Sequence, residues 1–297
     1  MDLGSGIIKF YGSCPGGLMK KLLRENLEQV RKIKSLQTTY AKDALYGCLY
    51  ACGGDLSIAN NFIGAIDSLD ELSINNFEKD VSVLWPVIYR HAESLKSLSL
   101  HSTSEYYEFI TVTPAIARRI VAGFPNLTHL TVDISAREAG RLFDEATGSS
   151  YRGQLQESTT IDELVKMDRL KEIQLAISLD DKASAFAGEN KYDVMGSKSF
   201  PNVSVENTLA LARAIFNKFR VNSARSCLEK VAVRFSRHCF SDRFQYDIVM
   251  TTISMVKDGP GFKTVGDGGW DWNPERVSMN LWNQIVQADS EINRRAD

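Results

Sequence analysis

Residues 124–134 read FPNLTHLTVDI, and their spacing decides how the rest of the chain is read. Leu127, Leu130, Val132 and Ile134 follow one another at intervals of three, two and two. From Leu130 onward this is the alternation of a strand with one side chain in every two turned inward. The cadence returns as Leu69-x-x-Leu72-x-Ile74, Leu95-x-x-Leu98-x-Leu100, Leu170-x-x-Ile173-x-Leu175-x-Ile177 and Leu228-x-x-Val231-x-Val233-x-Phe235. Five copies at one phase predict five equivalent strands. Ile33-x-x-Leu36-x-Thr38 reads either as a weak earlier copy or as the end of a helix that starts near Leu18.

Between the copies the period changes from two to nearly four. Leu84, Val87, Ile88 and His91 recur at helical spacing, with Pro86 where a first helical turn tolerates it. Thr113-Pro114 reads as an N-cap followed by proline at the first helical position. Ile116, Ile120 and Val121 form the buried stripe, and Gly123 closes the helix. Residues 56–68, 161–167 and 204–222 give further helices, the last the clearest. Ile7-Ile8-Lys9 reads as an edge strand, and residues 249–255 as one more strand. Residues 178–203 are polar and read as a loop. The aromatic segment holding Trp270, Trp272 and Trp282 reads as an end cover for the last apolar layer.

A strand, a helix and a second strand of the same sense make a parallel pair with the helix outside the sheet. The copies begin 26, 32, 43 and 58 residues apart, so the repeat lengths are irregular. The expected fold is an α/β solenoid: a parallel sheet on the concave side of a horseshoe and helices on the convex side. A doubly wound sheet is the rival, but its strands are buried on both faces and have no reason to keep one phase. Three segments follow. Residues 1–55 form an N-terminal helical cap or partial first repeats, 56–236 the irregular repeats, and 237–297 a C-terminal cap with a last strand.

The stretches ESLKSLSL (93–100), FPNLTHLTVDI (124–134) and DRLKEIQLAI (168–177) resemble the leucine-rich repeats of F-box/LRR-type proteins, the degenerate fungal ones above all. The resemblance implies a leucine-rich-repeat horseshoe whose repeats hold a protein partner. In that family the F-box recruits a ubiquitin-ligase scaffold of the SCF type and the repeats hold the ligase substrate. Residues 1–55 carry no recognisable F-box, and the asparagine or cysteine after the third apolar position has no regular equivalent here.

Formal net charge is −2, from 35 basic and 37 acidic residues. No Lys/Arg-rich run stands out along the chain, which argues against sequence-independent nucleic-acid binding and against a basic membrane contact. The apolar runs are far shorter than a bilayer span. Five scattered cysteines suit reduced thiols inside a cell, in cytoplasm or nucleus. Cys48-x-x-x-Cys52 has the wrong spacing for a redox pair or zinc knuckle, and Gly266-Asp-Gly-Gly269 lacks the order of a phosphate loop. Asn126-Leu-Thr matches a glycosylation triplet, but a turn residue is expected at that strand mouth in any case.

The strand phase turns Glu71, Ser97, His101, His129, Thr131, Asp133, Glu172, Gln174, Lys230 and Arg234 onto the expected concave face. Neighbouring strands then align them as rows, Glu71–Ser97–His129–Glu172–Lys230 and Asn75–His101–Asp133–Ala176–Arg234. Such a face suits a protein or peptide read by hydrogen bonds. His129 and Asp133 stand about 13 Å apart along one strand, too far to share a metal. His101 and Asp133 fall side by side and suit a hydrogen-bonded pair, and His91 on an apolar stripe suits a structural role. No catalytic, cofactor-binding or metal-binding residue is singled out. The expected function is a non-enzymatic protein-binding scaffold, including the substrate-holding part of a ligase receptor. Two alternatives stay open: a hydrolytic or other enzyme with a polar site at the sheet face, and a purely structural interaction module.

Overall fold

The computed structural model describes residues 6–9, 15–39, 56–75, 84–101, 111–135, 138–142, 158–178, 205–222, 227–240, 245–258 and 261–264. The segments 44–54, 102–110, 143–157, 179–204 and 265–297, with their cysteines, glycine turn and tryptophans, lie outside the described residues. In chain order the strands are β1 (Ile7–Lys9), β2 (Ser35–Thr39), β3 (Glu71–Asn75), β4 (Ser97–His101), β5 (His129–Ser135), β6 (Glu172–Ser178), β7 (Lys230–Phe240), β8 (Gln245–Asp258) and β9 (Gly261–Thr264). The helices are α1 (Pro15–Glu25), α2 (Leu27–Arg31), α3 (Leu56–Ala65), α4 (Trp85–Tyr89), α5 (Pro114–Gly123), α6 (Thr160–Leu164) and α7 (Val205–Asn222).

The strands form one nine-stranded sheet in strict chain order. Pairs from β1 to β7 are parallel, while β8 and β9 run antiparallel. The order never reverses, so this is not the doubly wound rival.

The three-then-two stride has a hydrogen-bond cause. One residue after the first leucine of each copy, a carbonyl accepts two successive N–H groups from the next copy. Lys34 O takes Asp70 and Glu71, Asp70 O takes Lys96 and Ser97, and Lys96 O takes Thr128 and His129. Thr128 O takes Lys171 and Glu172, and Lys171 O takes Glu229 and Lys230. The chain must therefore bend at that point, which costs one extra residue before alternation begins. Ile33 stands at the same phase, and Gly6 O serves Lys34 and Ser35 in the same way. The weak first copy is thus a true rung, and α1 and α2 end before it.

Inward leucines, isoleucines and valines from β2 to β7 are buried and share one apolar cluster with Met19, Phe62, Ile88, Ile120, Ile215 and Phe219 of the helices. Each such side chain contributes about 1.5–3 kcal/mol on full burial. Local signals place the helices. Thr113 Oγ1 accepts from Ile116 N at 3.4 Å with Pro114 behind it, and Thr159 and Asp162 form a reciprocal capping box for α6.

The expected leucine-rich-repeat horseshoe is not formed. The sheet is mixed, and it is neither closed nor strongly curled. A horseshoe curls because every repeat wedges an element about 10 Å wide behind strands about 4.8 Å apart. Here the wedges are uneven: α4 and α6 have five residues, α5 ten and α7 eighteen. The predicted strand at 249–255 belongs to the longer β8, which turns back on β7 and ends the parallel series. The resemblance to the F-box/LRR family therefore does not extend to its fold.

Candidate functional site

Helices cover the leucine face of the sheet, and the opposite face carries the alternate residues. Register sets Ile7, Ser35, Glu71, Ser97, His129, Glu172 and Lys230 in one row. Lys9, Gln37, Ser73, Ser99, Thr131, Gln174 and Ala232 make the next. At the carboxyl ends of the strands, Asn75 pairs with His101, and Asp133, Ala176 and Arg234 stand side by side.

The rows differ in exposure. His129 and Glu71 are exposed, and Ser73, Ser97, Ser99, Thr131, Glu172, Gln174 and Lys230 are half-buried. The third row is closed: His101, Asp133 and Arg234 are buried, and so are the small Ala176 and Ala232 beside them. Three residues expected on an open concave surface are thus inside the protein. The exposed and half-buried residues of this face lie in its first two rows.

Charge sits at the sides of this surface. Lys230 Nζ donates to Glu172 Oε1 at 2.8 Å, and Gln174 Nε2 donates to the same oxygen. Burial raises the Glu172 carboxyl, but the Lys230 and Gln174 hydrogen bonds, the Lys230 charge and nearby His129 together hold it below its ordinary range. On the other side Ser35 Oγ donates to Glu71 Oε2 at 2.8 Å. Between them lie Ser73 on β3, Ser97 and Ser99 on β4 and Thr131 on β5. Their hydroxyls make no side-chain hydrogen bond among the described residues. Each can both donate and accept.

His101 Nδ1 donates to Asp133 Oδ1 at 2.6 Å. His91 is held differently: the Leu69 N–H donates to its Nδ1 at 3.4 Å, and its Nε2 donates to Ile63 O at 3.1 Å. It bolts α3 and the turn before β3 to the turn before β4. Asn126 Nδ2 donates to Glu93 O at 2.8 Å and its Oδ1 accepts from Arg169, so it stitches three successive turns. Among the described residues, no group of three His, Cys, Asp or Glu side chains gathers to hold a metal. No helix among them is long and apolar enough to cross a membrane.

Fold and surface define an α/β protein whose sheet is covered by helices on its leucine face and carries polar residues on the other, with the third row of that face buried. No family model, no curated protein and no solved structure matches the chain.

Proposed function

We propose that the protein is a non-enzymatic scaffold that holds a protein or peptide partner on the first two rows of its polar sheet face. The observation that carries this reading is the group of four uncommitted hydroxyls, Ser73, Ser97, Ser99 and Thr131, on three adjacent strands. Small side chains make a shallow floor, and the taller Glu71, His129, Glu172 and Lys230 rise around it. A polypeptide presents N–H and C=O groups in alternation, and hydroxyls answer both.

Quantitative affinity capture from the cells of origin tests the proposal. Ser99→Trp with Thr131→Trp fills the floor without touching the core. The expected result is loss of one specific partner from a variant whose circular dichroism is unchanged. An unchanged partner list removes the reading. Charge reversal at Arg234 would be a poor test, because that residue is buried.

One observation speaks for an enzymatic alternative: the short His101–Asp133 contact lies at the carboxyl ends of parallel strands, where α/β proteins commonly carry sites. His101→Gln separates the two readings. A scaffold keeps its partner in that variant if the fold survives.

A further inference from the structure

We infer that the β1–β2 end of the molecule is a second docking surface, and that its partner is an acidic protein segment carrying apolar side chains. Residues 1–34 hold seven basic and three acidic residues, a net +4, in a chain whose net charge is −2. The remaining residues therefore carry −6. Along the sequence the cations are spread out. Folding gathers those of residues 20–34 on the helix side at one end of the sheet, where α1 packs on α2 and α3 and Lys32 and Lys34 lead into β2, while Lys9 ends β1 on the polar face beside Gln37.

Lys9, Lys20, Lys21, Arg24, Arg31, Lys32 and Lys34 are all exposed. Two are matched locally, Arg24 by Glu25 and Arg31 by Glu28, each at 2.9 Å. Lys34 Nζ donates to Ser68 O, a neutral acceptor that leaves its charge uncompensated. Lys9, Lys20, Lys21 and Lys32 make no ion pair among the described residues. The exposed large apolar side chains of the described residues also lie in residues 1–34: Leu18 at 36% and Leu27 at 38% on the helices, and Ile7 at 53% on the polar face of β1.

These two features together select the partner. Cations alone would suit any polyanion. Exposed Leu18 and Leu27 beside them favour a ligand that brings apolar groups as well as carboxylates. A nucleic-acid strand brings few such groups, and this end offers it no exposed aromatic side chain among the described residues for base stacking. An anionic bilayer answers the cations, but the remaining chain carries a net −6, which works against adsorption of the whole protein.

The test uses the full chain and a fluorescein-labelled peptide of Glu, Asp and Leu. The comparison ligands are the same peptide with Gln and Asn for its acids, a single-stranded oligonucleotide, and phosphatidylserine–phosphatidylcholine vesicles. Expected is binding of the acidic peptide that weakens at least about tenfold between roughly 50 and 200 mM salt. Joint Lys20→Glu, Lys21→Glu, Lys32→Glu and Lys34→Glu substitution should weaken it about tenfold or more, with unchanged circular dichroism. Leu18→Ser with Leu27→Ser should weaken it further. Equal binding of the neutral peptide, undiminished binding by the lysine variant, or stronger binding of oligonucleotide or vesicles would each overturn the inference. The Ser99→Trp/Thr131→Trp protein should bind the acidic peptide like the wild type, so this surface stands or falls separately from the sheet face.

Discussion

His101 on β4 and Asp133 on β5 meet side by side, Nδ1 to Oδ1 at 2.6 Å, with side-chain exposures of only 9% and 8%. A carboxylate removed from water this far is costly unless its partner stays in place. Asp133→Ala is expected to lower unfolding free energy by about 3 kcal/mol, because it removes one member of a buried, hydrogen-bonded pair. His101→Phe should cost a similar amount. The joint Asp133→Ala/His101→Phe protein should lose less than the two single variants combined, with a coupling of about 1–3 kcal/mol. Urea unfolding of all four proteins measures the cycle. Strict additivity would show that the contact has no energetic role.

Gly123 ends α5 for a packing reason. A Cβ placed there would lie 2.3 Å from Tyr89 Cε1 and 2.9 Å from its Cδ1. The Tyr89 ring has little room to retreat, since it stacks on Phe124 at 5.3 Å and on Trp85 at 5.5 Å. Gly123→Ala normally gains about 0.5–1 kcal/mol of helix propensity, yet overpacking of this kind costs about 1–3 kcal/mol. The variant should therefore be less stable by about 1 kcal/mol, read from its urea midpoint. Tyr89→Ala should cancel the penalty. A Gly123→Ala protein more stable than the wild type would refute the packing account.

What could be read in the sequence was local. Thr113-Pro114, the leucine cadence and the phase that turns Ser97 and Ser99 one way and Leu98 and Leu100 the other all depend on neighbours in the chain. Curl was not legible, because it depends on the bulk of helices such as α4 and α7 behind the sheet. Nor was the sense of β8, since alternation is the same in parallel and antiparallel strands. The burial of His101, Asp133 and Arg234 escaped for a related reason: nothing in a strand's own pattern tells whether another segment covers its polar face. Gly123 looked like a simple stop signal until the Tyr89 ring was placed against it. The basic end was hidden by the spacing of its lysines, which only the packing of α1 and α2 brings together.

His91 gives the protein a pH dependence. Burial lowers its pKa below the ordinary 6.5, Arg90 adds to this, and only the hydrogen bond to Ile63 works the other way. The unfolded chain therefore takes up the proton first as pH falls. Between 6.5 and the lower folded value the unfolded state binds more protons, so stability rises with pH there. The His91 contribution is complete above 6.5 and declines as pH drops through that window. Urea unfolding at about pH 7.5 and pH 5.5 should show a loss for the wild type that is smaller in His91→Gln, after the variant's constant cost is removed. Identical pH slopes would mean that His91 does not supply the effect.

Helix α6 has five residues and depends on its ends. Thr159 Oγ1 accepts from Asp162 N at 3.1 Å, and Thr159 N donates to Asp162 Oδ2 at 2.9 Å. Lys218 of α7 reaches the other carboxylate oxygen at 2.7 Å, so the cap also ties two helices together. Burial raises the Asp162 carboxyl, but Lys218 and the Thr159 hydrogen bonds outweigh it, and its pKa lies below the ordinary 3.8. A depressed carboxylate contributes stability in full above 3.8 and loses it as pH falls through the folded value. Thr159→Ala should cost about 1 kcal/mol at neutral pH, the usual loss for a cap. Lys218→Met should instead shift the acid limb of the stability curve, raising the pH at which the protein unfolds in acid while leaving the capping box in place. Acid titration followed by far-ultraviolet circular dichroism separates the two effects. Coincident acid limbs for wild type and Lys218→Met would show that the α6–α7 ion pair contributes nothing to acid resistance.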